Sequence, residues 1–151
     1  MKRSAMRRAA AVGALCAAAL LGGCGDKSGP QDLTGTWEGT LNLSLAGGGV
    51  LNGPLTLVLD QAESFASGGA QWTPIGEAQS IAGPLDGIYV TLRMLFRCEE
   101  SFETTVLEGT IDGDEVRIDD ASGRACTLGG TPLEVLDGSA TLARTSDDRP
   151  L

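Results

Sequence analysis

Ile88-Tyr89-Val90-Thr91-Leu92-Arg93-Met94-Leu95-Phe96-Arg97-Cys98 is the stretch that decides the fold. Ile88, Val90, Leu92, Met94, Phe96 and Cys98 fall on one face, and Tyr89, Thr91, Arg93, Leu95 and Arg97 fall on the other. Successive side chains of an extended chain point to opposite faces, so this period of two describes a strand with one face in a core and one in water. The pattern recurs on both sides of it. Trp37, Leu41, Leu43 and Leu45 alternate with Glu38, Thr40, Asn42 and Ser44. Leu55, Leu57 and Leu59, then Val116 with Ile118, then Ala140 with Leu142, repeat it. No segment between residues 33 and 145 sustains a helical period.

An aliphatic–Asx–Gly triplet occurs four times: Leu51-Asn52-Gly53, Leu85-Asp86-Gly87, Ile111-Asp112-Gly113 and Leu136-Asp137-Gly138. Asn-Gly and Asp-Gly suit two-residue hairpins, whose central positions require positive φ. The spacings of 34, 26 and 25 residues therefore read as successive hairpins of a meander. The expected strands cover 34–45, 54–61, 64–73, 77–84, 87–98, 102–111, 114–119 and 138–144. The fold class is all-β. Eight antiparallel strands in an up-and-down meander lose their exposed edges most simply by closing into a small barrel.

Gly35-Thr36-Trp37, at the start of the first strand, resembles the Gly-x-Trp signature of lipocalin-like (calycin) barrels. The resemblance implies that Trp37 plugs one end of a barrel. It also implies that an arginine on or after the last strand packs across that ring, and Arg144 stands at the matching place. Avidin opens similarly, but Glu38-Gly39-Thr40-Leu41 does not match the polar residues that bind biotin there.

The N-terminus has a different character. Lys2, Arg3, Arg7 and Arg8 precede an apolar run from Ala9 to Leu21, and Gly22 and Gly23 follow. This is the layout of a secretory signal. An uncleaved membrane helix is the alternative, but thirteen residues at a helical rise span roughly 20 Å, short of a hydrocarbon core of about 30 Å. Leu21-Gly22-Gly23-Cys24 resembles the lipobox of bacterial lipoproteins. The resemblance implies cleavage after Gly23 and acyl chains on Cys24, with two or more chains giving stable anchoring. Residues 1–23 are then the signal, 24–32 a lipidated cysteine and polar tether, 33–145 the barrel and 146–151 a frayed tail. Position 25 is Gly rather than Asp, which favours the outer over the inner membrane of the cell envelope.

Removal of the signal takes four basic residues with it. The remaining 7 Lys and Arg face 20 Asp and Glu, a net charge of −13. Such a surface repels nucleic acid and anionic head groups and suits either a basic partner or simple solubility. Of the four cysteines, Cys16 leaves with the signal and Cys24 carries lipid, which leaves Cys98 and Cys126. In an oxidising compartment that pair is expected to form a disulfide rather than two free thiols.

The chain contains no histidine, so the commonest general base and metal ligand are missing. The acidic cluster Asp112-Gly113-Asp114-Glu115, with Asp119 and Asp120, fails the calcium-loop pattern, because Val116 and Arg117 occupy its fifth and sixth positions. Glu99, Glu100 and Glu103 read as solvated charge in a turn. Neither catalysis, a metal nor a cofactor is expected. Trp72 is either an aromatic at the barrel mouth that touches a ligand or partner, or a core residue. The expected role is a non-catalytic binding module for a small apolar ligand. Two alternatives stand beside it: a protein-interaction barrel, inhibitor-like toward a basic lysozyme or protease, and a structural envelope lipoprotein.

Overall fold

A computed structural model describes residues 31–126 and 130–148, and the signal, Cys24 and the first part of the tether lie outside them. Eight strands follow one another: β1 (Gly35–Leu45), β2 (Val50–Ala62), β3 (Phe65–Trp72), β4 (Gly76–Asp86), β5 (Tyr89–Arg97), β6 (Phe102–Asp112), β7 (Glu115–Cys126) and β8 (Pro132–Ser146). Each pairs antiparallel with the next, and β8 returns to pair with β1, so the sheet closes into a barrel. The all-β meander is therefore the fold.

Only two of the four Asx-Gly pairs make hairpin turns. Asp86 pairs with Tyr89 and Asp112 with Glu115, so each loop consists of two residues, beginning at Gly87 and Gly113. The glycine alone takes positive φ, at 62° and 61°, and the Asp closes the strand before it. Ile88 is thus a half-exposed loop residue and not the first core position of β5.

The other two pairs lie inside strands. Asn52 and Gly53 pair with Asn42 and Leu41, and the first turn lies instead at residues 46–49, which include three glycines. Consequently β2 starts at Val50 and not at residue 54. Leu136-Asp137-Gly138 marks a bulge: Ser44 pairs with Asp137 and Leu45 with Val135, which leaves Leu136 as an extra residue. Strand β8 accordingly begins at Pro132 and runs to Ser146, and β7 continues to Cys126.

Glycines within strands let the barrel curve. A Cβ on Gly83 would overlap the Thr91 carbonyl oxygen, and one on Gly109 would overlap the carbonyl oxygen of Arg117. At these points neighbouring backbones approach too closely for any side chain, as tight coiling of a small barrel requires.

Inward positions form one continuous apolar core. Trp37, Leu41 and Leu43 of β1 meet Leu55, Leu57 and Leu59 of β2, and Leu92, Met94 and Phe96 come from the opposite wall. All of these are at most 1% exposed. Thr105 is a buried polar residue on the inner side, and its hydroxyl donates to the Arg124 carbonyl at 2.9 Å.

Candidate functional site

The two ends of the barrel are built differently. One carries three two-residue hairpins and receives the chain at residue 31. Here Gln31–Thr34 lies across the opening as a strap. The backbone N–H of Leu33 donates to Gln61 Oε1 at 2.8 Å, and Gln61 N–H donates to Thr34 Oγ1 at 3.1 Å. The last residues of the expected tether, Gln31 and Asp32, therefore belong to the barrel's surface. Beneath the strap Trp37 is fully buried, and its indole N–H donates to the Leu33 carbonyl at 2.8 Å.

Arg144 locks this end. Its guanidinium carbon lies 4.4 Å from the centre of the Trp37 ring, within cation–π range. Its terminal nitrogens donate to the carbonyls of Thr34 and Asp32, and Nε lies 3.0 Å from Asp114 Oδ1. Gly35, Trp37 and Arg144 thus meet at one end, as the barrel signature implies. Asp114, from the acidic run that fails the calcium-loop pattern, is an ion-pair partner here.

The far end holds the longer connections. Trp72, the last residue of β3, is 0% exposed, and its indole N–H donates to the Gly53 carbonyl at 3.1 Å. Of the two readings of Trp72, burial in the core is the one realised. Cys98 and Cys126 form a disulfide with Cα atoms 5.8 Å apart, tying the end of β5 to the end of β7. A tryptophan anchored to a backbone carbonyl therefore sits toward each end of a packed interior.

Among the described residues, one concave surface lies on the outside of the barrel. An open groove of about 340 Å³ runs across β5, β6 and β7 and is lined by Tyr89, Thr91, Glu108, Thr110, Asp119 and Asp120, among others. Its cause is a bulge. Glu108 pairs with Asp120 and Gly109 with Ile118, so Asp119 is an extra residue and two carboxylates in succession point outward. Tyr89, directly opposite Thr110, is 66% exposed. Among the described residues no three acidic, cysteine or histidine side chains converge closely enough to hold a metal ion.

In the sequence Asp119 and Asp120 read only as part of an acidic cluster, and Tyr89 and Thr91 only as outward positions of a strand. The signal was present in the spacing: Ile118 and Ala121 are both buried but three positions apart, which requires an irregularity between them.

The class defined by this geometry is a closed, eight-stranded antiparallel meander barrel, consistent with a lipocalin-like one. Comparison with protein-family models, curated proteins and solved structures finds no match.

Proposed function

We propose that this protein is a lipoprotein of the cell envelope, anchored through Cys24, that binds a basic protein through the outer wall of its barrel. The supporting observation is the contrast between inside and outside. The inner face carries apolar side chains, with a buried tryptophan toward each end, while a concave, acid-lined groove lies on the outer face. A net charge of −13 on the processed chain would speed encounter with a basic partner. The absence of histidine supports a role in binding rather than catalysis. Gly25 in place of Asp supports the outer membrane as the site of anchoring.

The anchor is tested by growing cells with an alkyne-tagged fatty acid. The full chain is expected to carry the tag, and Cys24→Ser is expected to lose it and remain unprocessed. A tag that survives in Cys24→Ser, or no tag on either form, overturns the anchor.

The partner is tested by placing a photo-crosslinking residue at Thr91 on β5 and, separately, at Thr40 on β1, in the opposite wall. Adducts from position 91 are expected to contain a protein of high isoelectric point, and to fade as salt rises because exposed charges are screened beyond about 10 Å at 0.1 M. Adducts formed equally from both positions, or only with acidic proteins, would sink the proposal. So would a lipid mass that co-purifies with the protein in native mass spectrometry, which would return the barrel to carrying an apolar ligand.

A further inference from the structure

We infer that the strapped end of the barrel rests on the membrane, with Phe65, Ile88 and Tyr89 entering the lipid interface; this rests on the reading of Cys24 as the lipid anchor. The first observation is where the chain leaves the barrel. Gln31 lies between two hairpin tips of that end. Its carbonyl accepts from Gln61 Nε2 at 3.2 Å, and its Oε1 accepts from the Gly113 backbone N–H at 3.2 Å. The same Gln61 nitrogen donates to the Glu63 carbonyl in the β2–β3 turn. Gln31 stands seven positions after Cys24, which gives a reach of about 25 Å at most. The anchor thus keeps this rim within reach of the head groups, and a further contact there forms at high effective concentration.

The second observation is what the rim presents. Of the exposed large apolar side chains, Phe65, Ile88 and Tyr89 belong to the tips of two successive hairpins, β2–β3 and β4–β5. Val50, Phe102 and Leu136 lie toward the far end, in β2, β6 and β8. Phe65 stands beside Pro84, and Tyr89 beside Asp86. The Leu85 N–H donates to the Ser64 carbonyl at 2.8 Å, so the two tips are held side by side and their apolar groups form one arc. In an interface Phe65 and Ile88 leave water, while the Tyr89 hydroxyl stays among the head groups. Tyr89 also borders the outer groove, which places a partner seated there next to the membrane.

The third observation is the arrangement of charge. Asp114 and Glu115 of the β6–β7 hairpin, and Asp147 after β8, lie on the other half of the rim. Arg144 engages Asp114 and Asp147 there, and Arg117 engages Glu115. On the apolar half, Glu63 and Asp86 are the acids at the tips. A barrel tilted onto its β2–β5 side buries the apolar arc and lifts the acid-rich half off the surface. Such a rim suits zwitterionic head groups and is repelled by anionic ones.

The three phenylalanines supply the test: Phe65 at the strapped end, Phe102 at the far end and Phe96 in the core. Phe65 and Phe102 are 52% and 62% exposed, so exposure to solvent alone treats them alike. The full lipidated chain, carrying fluorine-labelled phenylalanine and tyrosine, is placed in phosphatidylcholine nanodiscs with and without a lipid spin-labelled on its acyl chain. The Phe65 and Tyr89 fluorine lines are expected to broaden with the spin label, and those of Phe96 and Phe102 to keep their width. Phosphatidylglycerol added to the discs is expected to reduce the broadening, and an increase would overturn the inference. The double variant Phe65→Ser, Ile88→Ser, changed only at exposed positions, is expected to lose the broadening at Tyr89. The wild-type contrast between Phe65 and Phe102 stands whatever that variant does. If the chain elutes with the discs and both lines stay sharp, or both broaden equally, the inference fails and the anchor stands. A chain that does not enter the discs removes both. Broadening of Phe65 that follows protein concentration and not the spin label would assign the arc to a second copy, and would also overturn the inference.

Discussion

Trp37→Ala is expected to lower the unfolding free energy by about 4 kcal/mol, read from the denaturant midpoint at unchanged slope. Three losses combine. Trp37 is fully buried, so its removal opens a large void at the strapped end. The Leu33 carbonyl loses its indole donor. Arg144, only 12% exposed at its side chain, loses the ring beneath its guanidinium and keeps only Asp114, Asp147 and the strap carbonyls. Trp37→Phe retains a ring but no N–H, and should cost about half as much. A double-mutant cycle with Arg144→Met separates the stacking term, expected at about 1 kcal/mol. A loss below about 1 kcal/mol in Trp37→Ala would show that the strapped end is not the anchor point described.

Replacing both Cys98 and Cys126 with alanine is expected to cost about 3–4 kcal/mol. The bridge joins residues separated by 28 positions, and closing a loop of that size in the unfolded chain accounts for the stabilisation on the chain-entropy model. The native pairing should survive. Hydrogen-bonded ladders on both sides of β6 hold β5 and β7 in register without the disulfide. The variant should therefore keep its native circular dichroism while its midpoint falls. Alkylation without reductant provides the check on the wild type: labelling of Cys98 and Cys126 in the folded, unreduced protein would refute the bridge.

What could be read in the sequence and what could not divides along one physical line. Alternation reports which face of a strand is buried, so β5 and the inward residues of β1, β2, β7 and β8 were legible from their apolar period. Trp37 and Arg144 were legible through the resemblance to lipocalin-like barrels, and the disulfide through the count of cysteines. Irregularities were not. Asp86-Gly87 leads into a turn at residues 87–88, yet Asp137-Gly138 sits at a bulge with the same local chemistry. What separates the two is the pairing partner on another strand, which no local pattern contains. The groove depends on one such bulge at Asp119, so it stayed hidden with it. Gly83 and Gly109 fall within the expected strands 77–84 and 102–111, but their purpose, close approach of two backbones, is visible only once the strands are side by side.

The pairing of β1 with β8 sets the timing of folding. Seven of the eight ladders join consecutive strands and can zip up locally, but Trp37 meets Arg144 across more than a hundred residues of chain. Such a contact adds sequence separation that slows folding. A chain made from its N-terminus presents β1 first and β8 last. Until the final segment arrives, β1 offers a bare hydrogen-bonding edge and an unburied tryptophan, both invitations to aggregate. The completed barrel has no such edge, so the vulnerable period ends in one step. A truncation that removes β8 should thus yield a sticky, partly zipped meander rather than a smaller stable domain.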